Sequence, residues 1–254
     1  MNQFEIEGKK IIITGGSRGL GFGMAKALHD AGAELVIIAS NQKRLEECIT
    51  KLNKSSVPVH AVTGNLADEE SLRKAFDLAV NKLNGTVDVL INCAGVQYRC
   101  EAQSFPLEQW NNILNINLTA TFLMSQLAGQ LMIKQGHGKI INIASMTSFF
   151  GSELIPAYTA SKGGVMQLTK ALSNEWASKG VTVNAIAPGY METELTSDMK
   201  EKKPAQYAEI TSRIPAHRWG KPEDLSGIAI FLSSAASDYI SGAIIPVDGG
   251  FLGK

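Results

Sequence analysis

Short apolar runs alternate with amphipathic stretches along the whole chain. Lys10 to Thr14, Leu35 to Ala39, Val57 to Val62, Val87 to Ile91, Lys139 to Ala144, Val181 to Ala187 and Ala243 to Val247 are strand-like runs rich in β-branched residues. Between them Gly21 to Ala31, Gln42 to Asn53, Asp68 to Leu83, Leu107 to Lys134, Pro156 to Ser178 and Pro222 to Ser233 carry helical spacing. Gly32 closes the first helix, Asp68 stands at a capping position, and Pro222 occupies a first turn. Strands that read as continuous apolar runs are buried on both faces, and helices between them make the sheet parallel. The pattern therefore predicts α/β architecture: one doubly wound Rossmann-type domain over residues 1–254, with a seven-stranded parallel sheet. Only the stretch from Tyr190 to Pro215 breaks the rhythm, with the polar run Met199-Lys200-Glu201-Lys202-Lys203. A helical lid at about 190–215 fits its position, and so does a solvated excursion.

Charge narrows the classes of partner. Lys+Arg and Asp+Glu both number 24, which weighs against nucleic acid and membrane surfaces and leaves self-association open. Cys48, Cys93 and Cys100 form no CxxC pair and read as free thiols in a reducing compartment. No His/Cys spacing suited to zinc appears among the four histidines, so no metal is expected. The first residues lack a basic and then apolar leader, and no apolar run reaches the roughly 18 residues of a membrane span. A cytoplasmic protein is expected.

The chemistry begins at the first strand. Thr14-Gly15-Gly16-Ser17-Arg18-Gly19-Leu20-Gly21 follows it and opens the first helix. Gly15 permits the tight turn, Gly19 lets a pyrophosphate approach the backbone, and Gly21 lets the helix pack on the sheet. The helix N-terminus offers open N–H groups and a positive dipole end. A dinucleotide is the expected ligand. The tip of the second strand, Ala39-Ser40-Asn41, holds neither acid nor base. An acid there would repel a ribose 2′-phosphate; Arg18, Ser40 and Asn41 would instead meet one. The reading is NAD(P)(H) with a lean toward NADP(H).

Tyr158 and Lys162 lie four apart on one predicted helix and leave the same face. A phenol of pKa about 10 needs about three units of depression to act as a base near neutrality. A nearby ammonium and an oxidised nicotinamide are the available sources. Ser145, at the carboxyl end of a central strand, is placed to hydrogen-bond a substrate oxygen.

With these residues on the page, the chain resembles the short-chain dehydrogenase/reductase family. The resemblance rests on Thr14-Gly-x-x-x-Gly-x-Gly21, Asn92-Cys93-Ala94-Gly95, Ser145, Tyr158-Thr-Ala-Ser-Lys162 and Pro188-Gly189, in family order over essentially the whole chain. It implies a hydride exchange between a carbinol/ketone pair and the nicotinamide. It gives Asn117 a place in the catalytic set, holding a water that links Lys162 to solvent. It extends the dinucleotide contacts to Ser17, Leu20, Asn65, Leu66, Asn92, Ala94, Gly95, Pro188, Gly189 and Thr193. Asn65 stands where the family usually has an adenine-binding Asp.

Within the family, Ile143–Phe149, Asn174–Ala177, Asn184–Met191 and Arg213–Gly220 are similar to bacterial dehydrogenases of 2-dehydro-3-deoxy-D-gluconate, also called 2-deoxy-D-gluconate 3-dehydrogenases, with gluconate 5-dehydrogenases as near neighbours. That similarity implies a small sugar-acid substrate and a homotetramer. Arg99 is the first candidate for the substrate carboxylate, Arg218 and His217 are weaker ones, and Thr147 or Gln97 would bond sugar hydroxyls. A ketoacyl-carrier reductase and a non-catalytic dinucleotide sensor stand as alternatives. The intact Ser145/Tyr158/Lys162 set weighs against the sensor.

Overall fold

A computed structural model of the chain describes residues 2–53, 57–193 and 196–253, with Ser197 and Asp198 given as backbone alone. Its strands are β1 (Lys10–Thr14), β2 (Glu34–Ala39), β3 (Val59–Thr63), β4 (Val89–Asn92), β5 (Gly138–Ile143), β6 (Val181–Pro188) and β7 (Ile244–Val247). They form one parallel sheet in the order β3-β2-β1-β4-β5-β6-β7. The order reverses between β1 and β4, and the cleft outside the strand ends there is where such sheets bind ligands.

Alternate residues of the continuous apolar strands go to opposite cores. Ile11, Ile13, Leu35, Ile37, Val89 and Ile91 pack with Met24 and Leu28 of α1 (Gly19–Asp30) and with Leu45 and Cys48 of α2 (Gln42–Leu52). Ile12, Val36, Ile38 and Leu90 turn the other way, onto α3 (Glu69–Lys82) and α5 (Ala120–Gln135). Two-sided burial explains why these strands show no polar alternation. Helix starts follow local chemistry: Asn41 Oδ1 accepts the Arg44 N–H at 2.9 Å and Asp68 Oδ1 accepts that of Ser71 at 2.7 Å.

One stretch departs from the expectation, and the stretch that breaks the rhythm holds helices. The helix expected over Leu107–Lys134 is α4 (Leu107–Leu114), a π turn at Asn115–Thr119, then α5. A π turn widens the helix by one residue and presents groups a regular helix would bury among its own bonds. Residues 190–215 contain α7 (Ser197–Lys202) and α8 (Pro204–Ser212). Around α8, Ile210, Ile214 and Trp219 pack with Met146 and Phe251 in a small apolar cluster. Tyr207 stacks on Trp219 with ring centroids 4.8 Å apart, and its hydroxyl bonds Glu192. The segment is thus folded around aromatic residues. The remaining helices are α6 (Pro156–Trp176), carrying the tyrosine–lysine pair, and α9 (Ser226–Ser233). Among the described residues no helix is long and apolar enough to cross a membrane.

Candidate active site

The carboxyl ends of β1 to β4 and the first turn of α1 surround a cavity of about 360 Å³. Residues from well-separated segments line it, Ile116 of the π turn and Ile143 of β5 among them. Gly15 and Ser17 to Gly21 come from the first loop, Ser40, Asn41 and Arg44 from the tip of β2, and Asn65 and Leu66 from the end of β3. Ala94 and Gly95 follow β4, Tyr158 and Lys162 enter from α6, and Thr193 comes from beyond β6.

The loop needs glycine for two different reasons. At Gly15 (φ 68°) a Cβ would lie 2.7 Å from the Ala94 backbone, so only glycine lets the β1 turn touch the segment after β4. At Gly19 (φ 53°) a Cβ would meet nothing nearer than Thr193 at 3.9 Å and would take up cavity space. Thr14 braces the same corner, its hydroxyl accepting the N–H groups of Cys93 and Ala94 at 3.1 and 3.2 Å. Arg18 at the N-cap of α1 makes no side-chain bond to the first turn, where no acid stands. The helix end is left suited to an anion. A cradle of bare backbone at a helix N-terminus, with arginines at residues 18 and 44, fits a dinucleotide phosphate chain.

Tyr158 and Lys162 reach the cavity together. Lys162 is 4 % exposed, and its Nζ donates to the Ile143 carbonyl at 2.6 Å and lies 5.6 Å from the centroid of the Tyr158 ring. The Ser145 hydroxyl is hydrogen-bonded to Tyr158 and accepts the Thr147 N–H at 3.1 Å. Burial pushes the Tyr158 phenol above its ordinary range, opposed by the Ser145 bond, with the Cys93 thiol pushing it up further. Burial also pushes the Lys162 amine down to about 8. The amine still carries its proton at neutral pH, but it does not by itself depress the phenol. Desolvation of the ring outweighs the help the Ser145 bond gives the phenolate, so the protein's own groups do not supply the depression expected from sequence.

Asn117, fully buried in the π turn, spends its side chain on the walls of the site. Its Oδ1 accepts the Val96 N–H at 2.8 Å, while its Nδ2 donates to the Val96 carbonyl at 2.9 Å and the Ser161 hydroxyl at 3.1 Å. Ser161 in turn donates to the Tyr158 carbonyl. Asn117 thus clamps the loop after β4 to helix α6. Both amide protons are committed, and Oδ1 keeps a second acceptor site for a water bridging to Lys162.

A family model described as short chain dehydrogenase matches residues 9–204. The chain belongs to the short-chain dehydrogenase family. It is an NAD(P)-dependent oxidoreductase acting on CH–OH groups. The dehydrogenase is 44 % identical to 2-dehydro-3-deoxy-D-gluconate 5-dehydrogenase of Bacillus subtilis (strain 168), over 99 % of this chain and 97 % of that one. It is 40 % identical to 5-keto-D-gluconate 5-reductase of Escherichia coli (strain K12), over 98 % and 97 %. Among solved structures, a gluconate 5-dehydrogenase from Burkholderia cenocepacia J2315 in complex with NADP and tartrate superposes with a TM-score of 0.94. That protein is 36 % identical, and the match covers 100 % of this chain and 98 % of the other.

Some residues expected at the site of this dehydrogenase are placed elsewhere. Asn92 does not line the cavity; its Nδ2 donates to Asn142 Oδ1 at 2.9 Å and Ser125 Oγ at 3.0 Å, a buried link between β4, β5 and α5. Pro188 and Gly189 also stand off the cavity wall. A Cβ at Gly189 would lie 2.7 Å from Asp248, so glycine serves the approach of the segment after β7. Arg99 is exposed and outside the lining, whereas Gln97, two residues before it, is inside. Thr147 is 5 % exposed, its hydroxyl buried without a hydrogen-bond partner among the described residues, and it does not line the cavity. Arg218 makes a two-pronged bond to Asp224 at 2.6 and 2.9 Å, and that guanidinium holds the Asp224 carboxyl down to about 2. Its charge is already spent. His217 is an exposed residue in the left-handed region (φ 50°).

Among the lining residues that escaped the sequence reading, two carry polar or titratable side chains. Arg44 sits in the first turn of α2, beside the tip of β2. The signal was present: an Asn41 cap puts residue 44 in the first helical turn. Cys93 also lines the cavity, and burial pushes its thiol up to about 11, so it faces the site as a neutral group.

Proposed function

We propose that this dehydrogenase interconverts a secondary alcohol and a ketone on a sugar acid of the 2-dehydro-3-deoxy-D-gluconate type, with NADP(H) as its preferred dinucleotide. The observation that carries the reaction is that Tyr158 and Lys162 line the same cavity as the glycine loop, with Ser145 beside Tyr158 just behind its wall. The nicotinamide supplies hydride acceptance or donation when the dinucleotide is bound. Gly15, Gly19 and the α1 N-terminus hold its phosphates, Lys162 its ribose hydroxyls and Thr193 its carboxamide. Arg18 and Arg44, with Ser40 and Asn41, receive a 2′-phosphate.

In the oxidative direction Tyr158 Oη takes the carbinol proton. In the reductive direction it returns a proton to the forming alkoxide. Ser145 donates to the same substrate oxygen, and Lys162 keeps positive charge beside the phenolate. Asn117 positions Val96 and α6 around them. A carboxylate substrate needs a cation at the mouth, and Arg99 is the nearest unspent candidate in sequence; Gln97 and Thr147 would bond sugar hydroxyls. The similarity of curated sugar-acid enzymes over nearly the full chain supports this substrate class.

Residues 190–215 act as a lid over the substrate end of one domain that spans residues 1–254, and the protein works in the cytoplasm as a homotetramer. Exposed Leu107 on α4 and Phe122 on α5 support the assembly. Initial rates over a panel of hexonates and keto-deoxy sugar acids, with NADP and NAD side by side, test the reading. Turnover of a keto-deoxy hexonate faster than of acyl-carrier ketones, and faster with NADP, is the expected result. No turnover of any sugar acid removes the substrate assignment.

A further inference from the structure

The reacting groups come from two elements that need not keep step: Ser145 follows β5, while Tyr158 and Lys162 ride on α6. Asn142 of β5 donates to the Thr169 hydroxyl of α6 at 3.0 Å, and two further links tie the elements nearer the reacting groups. One is the Lys162 Nζ bond to the Ile143 carbonyl at 2.6 Å. The other runs through Ser148, the last residue of the short turn Met146–Ser148. The buried Ser148 hydroxyl donates to the Lys162 carbonyl at 2.7 Å and accepts the Ser145 N–H at 3.3 Å. It is therefore bonded at once to the backbone of the serine and to the backbone of the lysine.

We propose that Ser148 is a positioning residue whose hydroxyl locks the Ser145 turn onto helix α6 and so sets the alignment of Ser145 with Tyr158. The inference rests on the reading of Tyr158 as the proton-transfer group. The Ser145 oxygen already accepts the Thr147 N–H within this turn, which leaves its own proton for the Tyr158 oxygen. Ser148 closes the same turn from the other side, so loosening it turns that proton away from the phenolate. Among the described residues no other side chain bonds both the Ser145 backbone and the Lys162 backbone: Asn142 meets α6 at Thr169, and Ser161 ties Tyr158 to Asn117.

The groups that set the ionisation of Tyr158 are few. Lys162 faces it from its own helix, Cys93 from the segment after β4, and Ser145 bonds it from the turn after β5. Removing the Ser148 hydroxyl leaves the two titratable neighbours in place and weakens only the Ser145 bond. The acidic limb of the oxidation pH profile then moves to higher pH.

The test is the pH dependence of oxidation by the parent enzyme, Ser148→Ala, Ser148→Thr and Tyr158→Phe, with dinucleotide KM and Tm measured alongside. Loss of one well-placed hydrogen bond to a developing charge is worth about tenfold in rate. Ser148→Ala is expected to lower kcat about tenfold, raise the kinetic pKa by about half a unit to one unit, and leave the dinucleotide KM within about twofold. Ser148→Thr, which keeps the hydroxyl, is expected to recover most of both changes. If Ser148→Ala cannot be obtained folded, Ser148→Cys keeps the volume with only a weak donor and carries the same readout. A kinetic pKa that stays at the parent value, whether or not kcat falls, overturns the proposal. Tyr158→Phe separates the two levels: activity retained there removes the reading of Tyr158, whereas an inactive Tyr158→Phe beside an unshifted serine variant removes only the role of Ser148.

Discussion

The dinucleotide end and the substrate end of the site are built by different means. At the first, the recognising groups are mostly backbone, set by a strand, a glycine turn and a helix that follow one another within twelve residues, Lys10 to Gly21. At the second, the candidate groups are side chains from segments far apart in sequence: Gln97 after β4, which lines the cavity, and Ser145 in the turn after β5, beside Tyr158. Backbone recognition leaves little to vary, because a Cβ at Gly15 is refused by Ala94. Side-chain recognition can be rewritten without touching the sheet. The proposed reaction belongs between the two, where Tyr158 and Lys162 line the cavity.

That division predicts a graded set of effects. Tyr158→Phe removes the proton-transfer group and keeps the ring, so kcat should fall by about 10³-fold or more while the dinucleotide Kd, read by fluorescence titration, stays within about twofold. A joint loss of both would merge the two ends into one.

Lys162→Met should cost about 10²–10³ in kcat, with weaker dinucleotide binding, and yet raise Tm. The sign follows from linkage. The folded amine titrates at about 8, below the ordinary lysine value of about 10.4, so the unfolded chain holds more protons between those values. The penalty of burying the charge is therefore full below pH 8 and disappears as pH rises past about 10.4. The Tm gain of the variant should be largest at neutral pH and shrink along that window; a gain independent of pH would contradict the burial account.

Arg18→Ala and Arg44→Ala sharpen the dinucleotide end itself. Each should lower kcat/KM with NADP by about tenfold and leave that with NAD within about twofold, since a charge-assisted bond to phosphate is worth about 1.5–3 kcal/mol when well formed and less at an exposed rim. Equal losses with both dinucleotides would remove the 2′-phosphate reading. The smallest effect is expected at the substrate end. Arg99 is exposed and off the cavity wall, so Arg99→Ala should raise the sugar-acid KM only about threefold to tenfold, less in high salt.

What could be read from the sequence follows the same line. The central strands were legible because burial on both faces makes them largely apolar, as Ile11-Ile12-Ile13 shows by feeding two cores with alternate residues; the part-buried edge strands β3 and β7 were legible from their β-branched residues. The glycine loop was legible because its function is its backbone. The π turn at Asn115–Thr119 was not, since the apolar spacing on either side continues through it and only the tertiary clamp of Asn117 on Val96 and Ser161 marks the place. Asn92 shows the converse error. It was expected at the dinucleotide, but strand alternation sends its side chain to the buried bond with Asn142 while its neighbours Cys93 and Ala94 face the cavity. Arg44 was missed because the cap that places it was not used. The direction of the Tyr158 shift was missed because spacing supplies the neighbouring ammonium but says nothing of desolvation.

The most direct test of the central claim is the tyrosinate absorbance change near 295 nm when the oxidised dinucleotide saturates the protein at pH 9, parent against Tyr158→Phe. The protein's own groups hold this phenol above its ordinary range, and positive charge brought by the ring should draw it down. A rise in absorbance with proton release in the parent, absent from Tyr158→Phe, is the predicted result; equal signals in the two proteins, or none in the parent, would contradict the account.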